Sequence, residues 1–261
     1  MKICFSTLGC TEKPLAEVLH LAYAAGMDGI ELRGLSGMMD NAEIPEFRPE
    51  NMDETARMFA ESGVKPVVLG TSCMFHTPEK AEAALKEGAC SIRIAQRLGI
   101  PYIRVFGNNI VGDREACIAR VADGISQLCG MASQCGVTVL LEVHGDFNTA
   151  ETLLPVIEAQ HGIPNFGLIW DICHTHTPYG MDWMRFYDAV RPYIRHVHIK
   201  DKADNELVLP GDGEIPIREI IGRMTADGYD GYFSLEWERK WHPELPEIGI
   251  ALERYIDLLK G

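Results

Sequence analysis

The chain alternates apolar strand patterns with amphipathic helix patterns from one end to the other. Eight segments have the composition of buried strands: residues 2–9, 28–34, 65–72, 102–108, 137–145, 166–174, 194–201 and 229–238. Helical patterns occupy residues 14–26, 51–63, 79–99, 114–136, 149–162, 181–190, 217–228 and 246–259. Strict alternation implies parallel strands joined by right-handed helical crossovers. Eight such units predict a single (β/α)8 TIM barrel over residues 1–261, in preference to an open doubly wound sheet.

Glycines end several of these helical patterns directly before a strand begins. They are Gly26, Gly63, Gly99, Gly136, Gly162 and Gly228. Glycine is favoured just past a helix C-terminus because it adopts the left-handed conformation there without steric strain. The glycines therefore support the boundaries of the strand–helix units.

Composition limits the classes of partner. The formal net charge of -14 argues against nucleic acid, since affinity for phosphate backbones depends on Lys and Arg. We therefore expect a small-molecule substrate, while the sequence leaves a homo-oligomer open. No apolar run approaches the length of a membrane span, and the eight cysteines form no CxxC pair and no secretory framework. These patterns predict a cytoplasmic protein with reduced thiols and no membrane partner.

Four ionisable residues each close a short apolar run in the second half of the chain. Glu142 ends VTVLLE, Asp171 ends FGLIWD, His198 ends IRHVH and Glu236 ends YFSLE. Catalytic groups of a barrel lie at the C-terminal ends of its strands, so these four are expected to meet. Three carboxylates and an imidazole suit one divalent metal ion, which could be Mn, Mg, Co or Zn. Glu238 shares a strand face with Glu236 and is the alternative ligand, but Glu236 follows the apolar run directly.

Other side chains near these strand ends are candidates for substrate contacts. His144 lies two residues after Glu142 and shares its strand face. Trp237 is a candidate because aromatic side chains commonly line small-molecule sites. For Glu31, Arg33 and Arg104, paired structural charges are the favoured interpretation.

The segments LLEVH, WDICH, HVHIKD and SLEWE, with the opening KICFST and the second strand DGIELR, resemble the xylose isomerase-like barrel superfamily. That group includes ketose 3-epimerases, hydroxypyruvate isomerase, inosose dehydratase and apurinic endonucleases. The resemblance implies that Glu142, Asp171, His198 and Glu236 bind a metal ion and that the two Glu residues also act as acid and base. His174 matches the histidine of a DxxH motif, which contacts substrate in the epimerases and a metal in the endonucleases.

Two departures from the superfamily patterns limit which of its members this chain resembles. The endonucleases use further histidine ligands, whereas this chain has VFGNN at 105–109 and LPGDGEI at 209–215 where some of them are expected. The epimerases place an Arg shortly after the strand-seven His, whereas KDKADNE follows His198 here. Lys200 and Asp201 are candidates for a replacement polar contact, and exposed loop charges are the alternative.

These observations predict a metal-dependent sugar or sugar phosphate isomerase or epimerase. Proton abstraction next to a carbonyl would give an enediolate that the metal stabilises. The first alternative is a keto-polyol dehydratase of the inosose dehydratase type, in which the same enolate expels a β-hydroxyl. A non-catalytic sugar-binding barrel is the second.

Overall fold

Eight parallel strands close into a barrel, as the alternating pattern predicts. The computed structural model describes residues 1–260. In chain order its strands are β1 (Lys2–Ser6), β2 (Gly29–Leu32), β3 (Lys65–Met74), β4 (Tyr102–Phe106), β5 (Thr138–Glu142), β6 (Phe166–Asp171), β7 (Ile194–Ile199), β8 (Asp201–Ala203), β9 (Glu206–Val208) and β10 (Tyr232–Leu235). Around the barrel the order is β1-β10-β7-β6-β5-β4-β3-β2. The predicted (β/α)8 fold is confirmed.

Helices cover the outside of this barrel. They are α1 (Leu15–Ala24), α2 (Met52–Ser62), α3 (Pro78–Leu98), α4 (Arg114–Ala132), α5 (Ala150–Ala159), α6 (Ile172–Tyr179), α7 (Trp183–Val190), α8 (Ile217–Ala226) and α9 (Ile248–Lys260). Their buried faces share one continuous apolar core with the outer faces of the strands. Parallel strands covered in this way are buried on both sides, which explains their nearly unbroken apolar sequences. None of the helices in residues 1–260 combines the length and apolar content needed to cross a bilayer.

The glycines that mark the unit boundaries adopt the conformation expected of them. Gly63 and Gly99 follow α2 and α3 in the left-handed region, with φ of 73° and 68°. The other four predicted boundary glycines also have positive φ. An L-residue with a Cβ is strained in this region, which accounts for glycine at these turns.

Most strands are shorter than predicted, and after two of them the chain forms an element that the sequence pattern did not predict. The sixth strand ends at Asp171 instead of continuing to residue 174, because Ile172 already begins α6. After β7 the chain forms an antiparallel hairpin, β8–β9, that the sequence pattern did not predict. Strands of three residues carry too few alternating positions to be recognised by period.

The strand register brings the C-terminal ends of β5, β6, β7 and β10 to one rim. Asp171 lies opposite His198 across β6 and β7, and Ser234 lies opposite His198 across β10 and β7. Since neighbouring strands of a parallel barrel end at similar heights, side chains from these positions converge on the barrel axis.

Candidate active site

The four predicted ligand residues meet at this rim. Glu142 and Asp171 are the last residues of β5 and β6, His198 is the fifth residue of β7, and Glu236 directly follows β10. One ligand atom from each lies within 4.8 Å of every other, and all four residues are buried. The sequence prediction that these side chains come together is therefore confirmed as geometry.

His198 lies at the centre of the group. Its Nδ1 is 3.2 Å from Glu236 Oε2, 3.4 Å from Glu142 Oε1 and 3.8 Å from Asp171 Oδ2. This buried nitrogen makes no hydrogen bond of good geometry. Burial by itself lowers the pKa of His198, but the carboxylates of Glu236, Glu31 and Glu142 outweigh it and hold that pKa well above the usual value. One ring nitrogen and three carboxylates are a donor set that suits a divalent cation.

Asp171 is held in place by the helix that follows it. Its Oδ1 accepts hydrogen bonds from the backbone N–H groups of Cys173 and His174, at 2.8 and 3.0 Å, and so caps the N-terminus of α6. The other oxygen, Oδ2, is thereby directed toward His198 and Lys200. Desolvation acts against the charge of Asp171, yet Lys200 and the neighbouring histidines keep its pKa well below the usual value.

Lys200 is a buried cation inside this group. Its Nζ lies 2.7 Å from both Asp171 Oδ2 and Glu236 Oε2 and 2.5 Å from Glu238 Oε1. Desolvation opposes its charge, but these carboxylates raise the pKa of Lys200 well above the usual value. With 3% of its surface exposed, Lys200 is not the solvated loop charge considered as the alternative.

Asp201, the neighbouring candidate, has a structural role. It is buried and accepts hydrogen bonds from the backbone N–H groups of residues 202, 211, 213 and 215. These bonds fix the turn before α8. Both oxygens of Asp201 are therefore engaged by its own loop, and the loop-charge alternative is wrong for this residue as well.

Of the three charges predicted to be structural pairs, Glu31 and Arg104 do pair and touch the site, whereas Arg33 donates to the Met39 carbonyl at 3.2 Å and to Ser72 Oγ at 3.0 Å. Arg104 Nη1 donates to Glu142 Oε2 at 2.6 Å, with both side chains buried. Burial favours the neutral form of Glu142, but Arg104 and then His198 outweigh it and depress the pKa of this carboxyl far below the usual value. Glu31 Oε2 lies 3.0 Å from the Nε2 atoms of His196 and His198.

His144 and His174 form one wall of the rim. Their ring centroids are 4.2 Å apart, and His144 also contacts the ring of Phe106 edge-on at 5.0 Å. Both histidines are half-buried. Burial lowers the pKa of His174, which favours a neutral ring at neutral pH. The two imidazole rings beside Glu142 and Asp171 offer hydrogen-bonding nitrogens to a polyol.

Trp237 faces away from the site. Because successive side chains of an extended segment point to opposite sides, Glu236 and Glu238 both reach Lys200 while Trp237, between them, points outward. It is 2% exposed, lies in the core and donates its indole N–H to the Pro246 carbonyl at 2.8 Å. The expected substrate contact at Trp237 thus has no geometric basis, and we leave this residue out of the proposed site.

The sequence reasoning missed the contact between Glu31 and the two histidines of β7. Glu31 lies 167 positions before His198 in the chain, and no local pattern links such distant residues. Each segment nevertheless shows that it holds buried polar groups in need of a partner. GIEL places a carboxylate in an apolar strand, and HVH places two histidines on one strand face.

The site as a whole carries an excess of negative charge. Glu31, Glu142, Asp171, Glu236 and Glu238 contribute five carboxylates, against Arg104, Lys200, the His198 ring with its raised pKa, and the Arg33 guanidinium, whose charge acts on Glu142 and Glu236. Buried charges of one sign are costly unless they are paired or bind a metal. The residues present therefore fit a divalent cation in both ligand type and charge.

Comparison with known proteins finds a matching family and relatives of similar sequence. Residues 19–257 match the sequence profile of a family described as xylose isomerase-like TIM barrel. A fructoselysine 3-epimerase of Escherichia coli O157:H7 is 30% identical over 286 aligned positions, which cover 99% of this chain and 98% of that protein. An inosose isomerase of Halalkalibacterium halodurans is 24% identical, with 94% of this chain and 90% of that protein covered.

Solved structures of similar fold include one with a metal. The crystal structure of the IolI protein with a bound zinc atom has a TM-score of 0.79 and 22% identity, and the match covers 99% of this chain and 96% of that chain. At this identity the likeness establishes a shared fold.

Proposed function

Because the chain belongs to the xylose isomerase-like TIM barrel family, we propose that it is a divalent-metal-dependent sugar isomerase or epimerase, acting by proton abstraction next to a carbonyl. The observation that carries the proposal is the convergence of Glu142 and Glu236 on His198 Nδ1, at 3.4 and 3.2 Å. Two carboxylates on either side of one centre can serve both faces of a planar substrate. The relatives named as epimerase and isomerase support the same reaction class.

The proposed ligands are Glu142, Asp171, His198 and Glu236. A divalent ion bound by them would stabilise the negative charge that develops on substrate oxygens when the proton leaves. The donor set does not select among Mn, Mg, Co and Zn, since carboxylates and imidazole serve all of them to differing degrees. Which of these metals binds must therefore be determined by experiment.

Glu142 and Glu236 are the proposed acid and base. Arg104 pairs with Glu142, while His198 and Lys200 lie beside Glu236, and these groups keep both carboxylates ionised, which is the form that accepts a proton. One Glu would remove the proton from the carbon beside the carbonyl. Return of a proton by the other Glu to the opposite face inverts that carbon, whereas transfer between adjacent carbons interconverts aldose and ketose.

His144, His174 and Lys200 are the proposed substrate contacts. The two histidines form the rim wall beside Glu142 and Asp171, and Lys200 supplies an ammonium beside Glu236. Hydroxyl groups of a polyol can accept hydrogen bonds from the ammonium and form hydrogen bonds with the imidazole rings. These residues would orient the carbon chain so that the exchangeable proton faces a Glu carboxylate.

The buried ammonium of Lys200 also favours a second candidate, a keto-polyol dehydratase. A cationic donor beside the base can assist departure of a β-hydroxyl as water. This reaction shares its first step with isomerisation and differs in the fate of the carbanion.

A substrate panel in heavy water tests the proposal. Protein loaded with manganese is incubated with ketoses, ketose phosphates and inososes, and the recovered sugars are analysed by mass spectrometry and NMR. We expect deuterium at the carbon next to the carbonyl in at least one sugar, with epimer or isomer formed. A product that has the mass of the substrate less that of water identifies the dehydratase. A metal-bound protein that exchanges no proton in any of these sugars would contradict the proposed function.

The matched control is a single protein that carries both substitutions, Glu142→Gln and Glu236→Gln. It keeps both side-chain shapes and removes both proposed bases, so exchange above its level reports proton transfer by the carboxylates.

A further inference from the structure

Glu31 reaches His198 from the other side of the barrel. It belongs to β2, and β1 and β10 lie between that strand and β7. Its carboxylate crosses the barrel interior to the two histidines of β7 and is fully buried. Glu31 touches none of the three carboxylates at the rim through a hydrogen bond. It therefore acts on the site through His198.

The contacts of Glu31 fix which ring nitrogen of His198 carries hydrogen. Oε2 accepts from Ser234 Oγ at 3.2 Å and faces the Nε2 atoms of His196 and His198, each at 3.0 Å, while Oε1 is 3.2 Å from His198 Nε2. An ionised carboxylate can only accept hydrogen bonds. His198 Nε2 must then donate in either protonation state of the ring, so the lone pair available to a metal ion is the one on Nδ1, once the ion has replaced any hydrogen there.

That lone pair is directed at the proposed ligand group. Nδ1 faces Glu142, Asp171 and Glu236 without a hydrogen bond. Metal-binding histidines commonly donate their other N–H to a carboxylate, which fixes the ring orientation and raises its basicity as a ligand. The buried Glu31 network by itself is weak support for a stabilising role, because apolar residues often replace buried ion pairs without loss of stability.

We propose that Glu31 is a positioning residue that holds His198 in the Nε2–H tautomer, with Nδ1 directed to the metal ion. The inference rests on the proposed function, since it presupposes that His198 is a ligand. Glu31 needs no contact with metal or substrate to act in this way.

Direct metal titration of Glu31→Gln tests the role. Glutamine keeps the shape of the side chain but lacks the charge, and its amide group can present a donor to His198. Zinc affinity is measured on chelator-stripped protein by competition with a chromogenic chelator, beside the melting temperature of the metal-free form. We expect affinity to fall about 10–100-fold in Glu31→Gln. The matched control is Ser234→Ala, which removes a different hydrogen bond of Glu31, and it should bind zinc within a factor of about three of the unaltered protein, by the same scale.

A Glu31→Gln variant that is folded and binds zinc like the unaltered protein would overturn the positioning role. Absence of zinc binding by the unaltered protein would instead overturn the proposed metal site, and the positioning role with it. A reduced affinity in Glu31→Gln alone supports the inference.

The tautomer can also be read in the unaltered chain, which removes any dependence on the folding of a variant. Long-range proton–nitrogen NMR spectra of zinc-loaded protein with labelled histidine distinguish the two ring nitrogens of His198. We expect hydrogen on Nε2 and zinc on Nδ1. Zinc on Nε2 would overturn the inference, because the ion would then lie in the group formed by Glu31, His196 and His198.

Discussion

At the scale of single residues, Glu142 and Glu236 each combine two proposed roles, as metal ligand and as proton acceptor. Both are buried and each is paired with one cation, Arg104 or Lys200. Glutamine at either position retains an oxygen donor but cannot accept the proton. Each of Glu142→Gln and Glu236→Gln should lower turnover at least about 100-fold, the usual contribution of a general base.

Elemental analysis of both variants provides the control for this prediction, because loss of bound metal would lower turnover for another reason. If one Glu serves each face of the substrate, each variant should lose exchange with solvent of the proton next to the carbonyl in one epimer. The two variants should affect opposite epimers. A variant that loses exchange for both epimers while the other variant stays fully active would exclude the mechanism with two bases.

Lys200 gives a prediction in which metal affinity and activity change in opposite directions. Its ammonium lies 2.7 Å from oxygens of two proposed ligands, Asp171 and Glu236, and so opposes the approach of a second cation. Lys200→Met should therefore raise zinc affinity while lowering kcat/KM, since the proposed substrate contact is lost. Chelator competition and steady-state kinetics measure the two quantities.

Lys202→Met is the matched control, because this lysine is directed to Thr177 Oγ1 at 2.9 Å, outside the ligand group. It should change neither quantity appreciably. A fall in zinc affinity in Lys200→Met would mean that the ammonium organises the ligands more than it repels the ion.

At the scale of elements, the position of α4 depends on close contact with Phe75. Gly124 in α4 is buried, and a Cβ at this position would overlap the Phe75 ring. Gly124→Ala should lower the free energy of unfolding by about 1–3 kcal/mol, the usual effect of overpacking. Urea denaturation measures the change.

Gly130, in the same helix, provides the control. A Cβ there would meet nothing within 4 Å, and the residue is exposed. Gly130→Ala should raise stability by about 0.5–1 kcal/mol, since alanine restricts the unfolded chain and favours helix. Equal effects at both positions would show that α4 does not pack on Phe75 as described.

At the scale of the whole molecule, metal binding and folding should be linked, because the ligands come from four strands that only the folded barrel brings together. Zinc at 100 times its dissociation constant should stabilise the fold by about 2.7 kcal/mol. For a domain of this size that corresponds to roughly 5–10 °C in melting temperature. Differential scanning calorimetry with and without chelator measures the shift.

His198→Ala should remove the dependence of melting temperature on metal, whereas His176→Ala should retain it. His176 is half-buried on α6 and outside the ligand group. Equal loss of the dependence in both variants would contradict the proposed site.

The sequence by itself determined the repeating architecture and the four residues that converge. The alternation of strand and helix patterns repeats eight times, and glycines such as Gly63 and Gly99 mark several of the boundaries. Both features are local, so they can be recognised along the chain. Barrel geometry then places every strand end at one rim, so Glu142, Asp171, His198 and Glu236 follow from position alone.

The tertiary structure decided the partners of each charge. The contact of Glu31 with His198 spans the barrel, and the burial of Lys200 depends on carboxylates from β6 and from the segment after β10. Alternation with Glu236 already implies that Trp237 points to the opposite face, but only the tertiary structure shows its partner there, the Pro246 carbonyl. The physical reason is that hydrogen bonds and ion pairs act over a few ångströms in space, and neither composition nor local periodicity records which distant residues lie within that range.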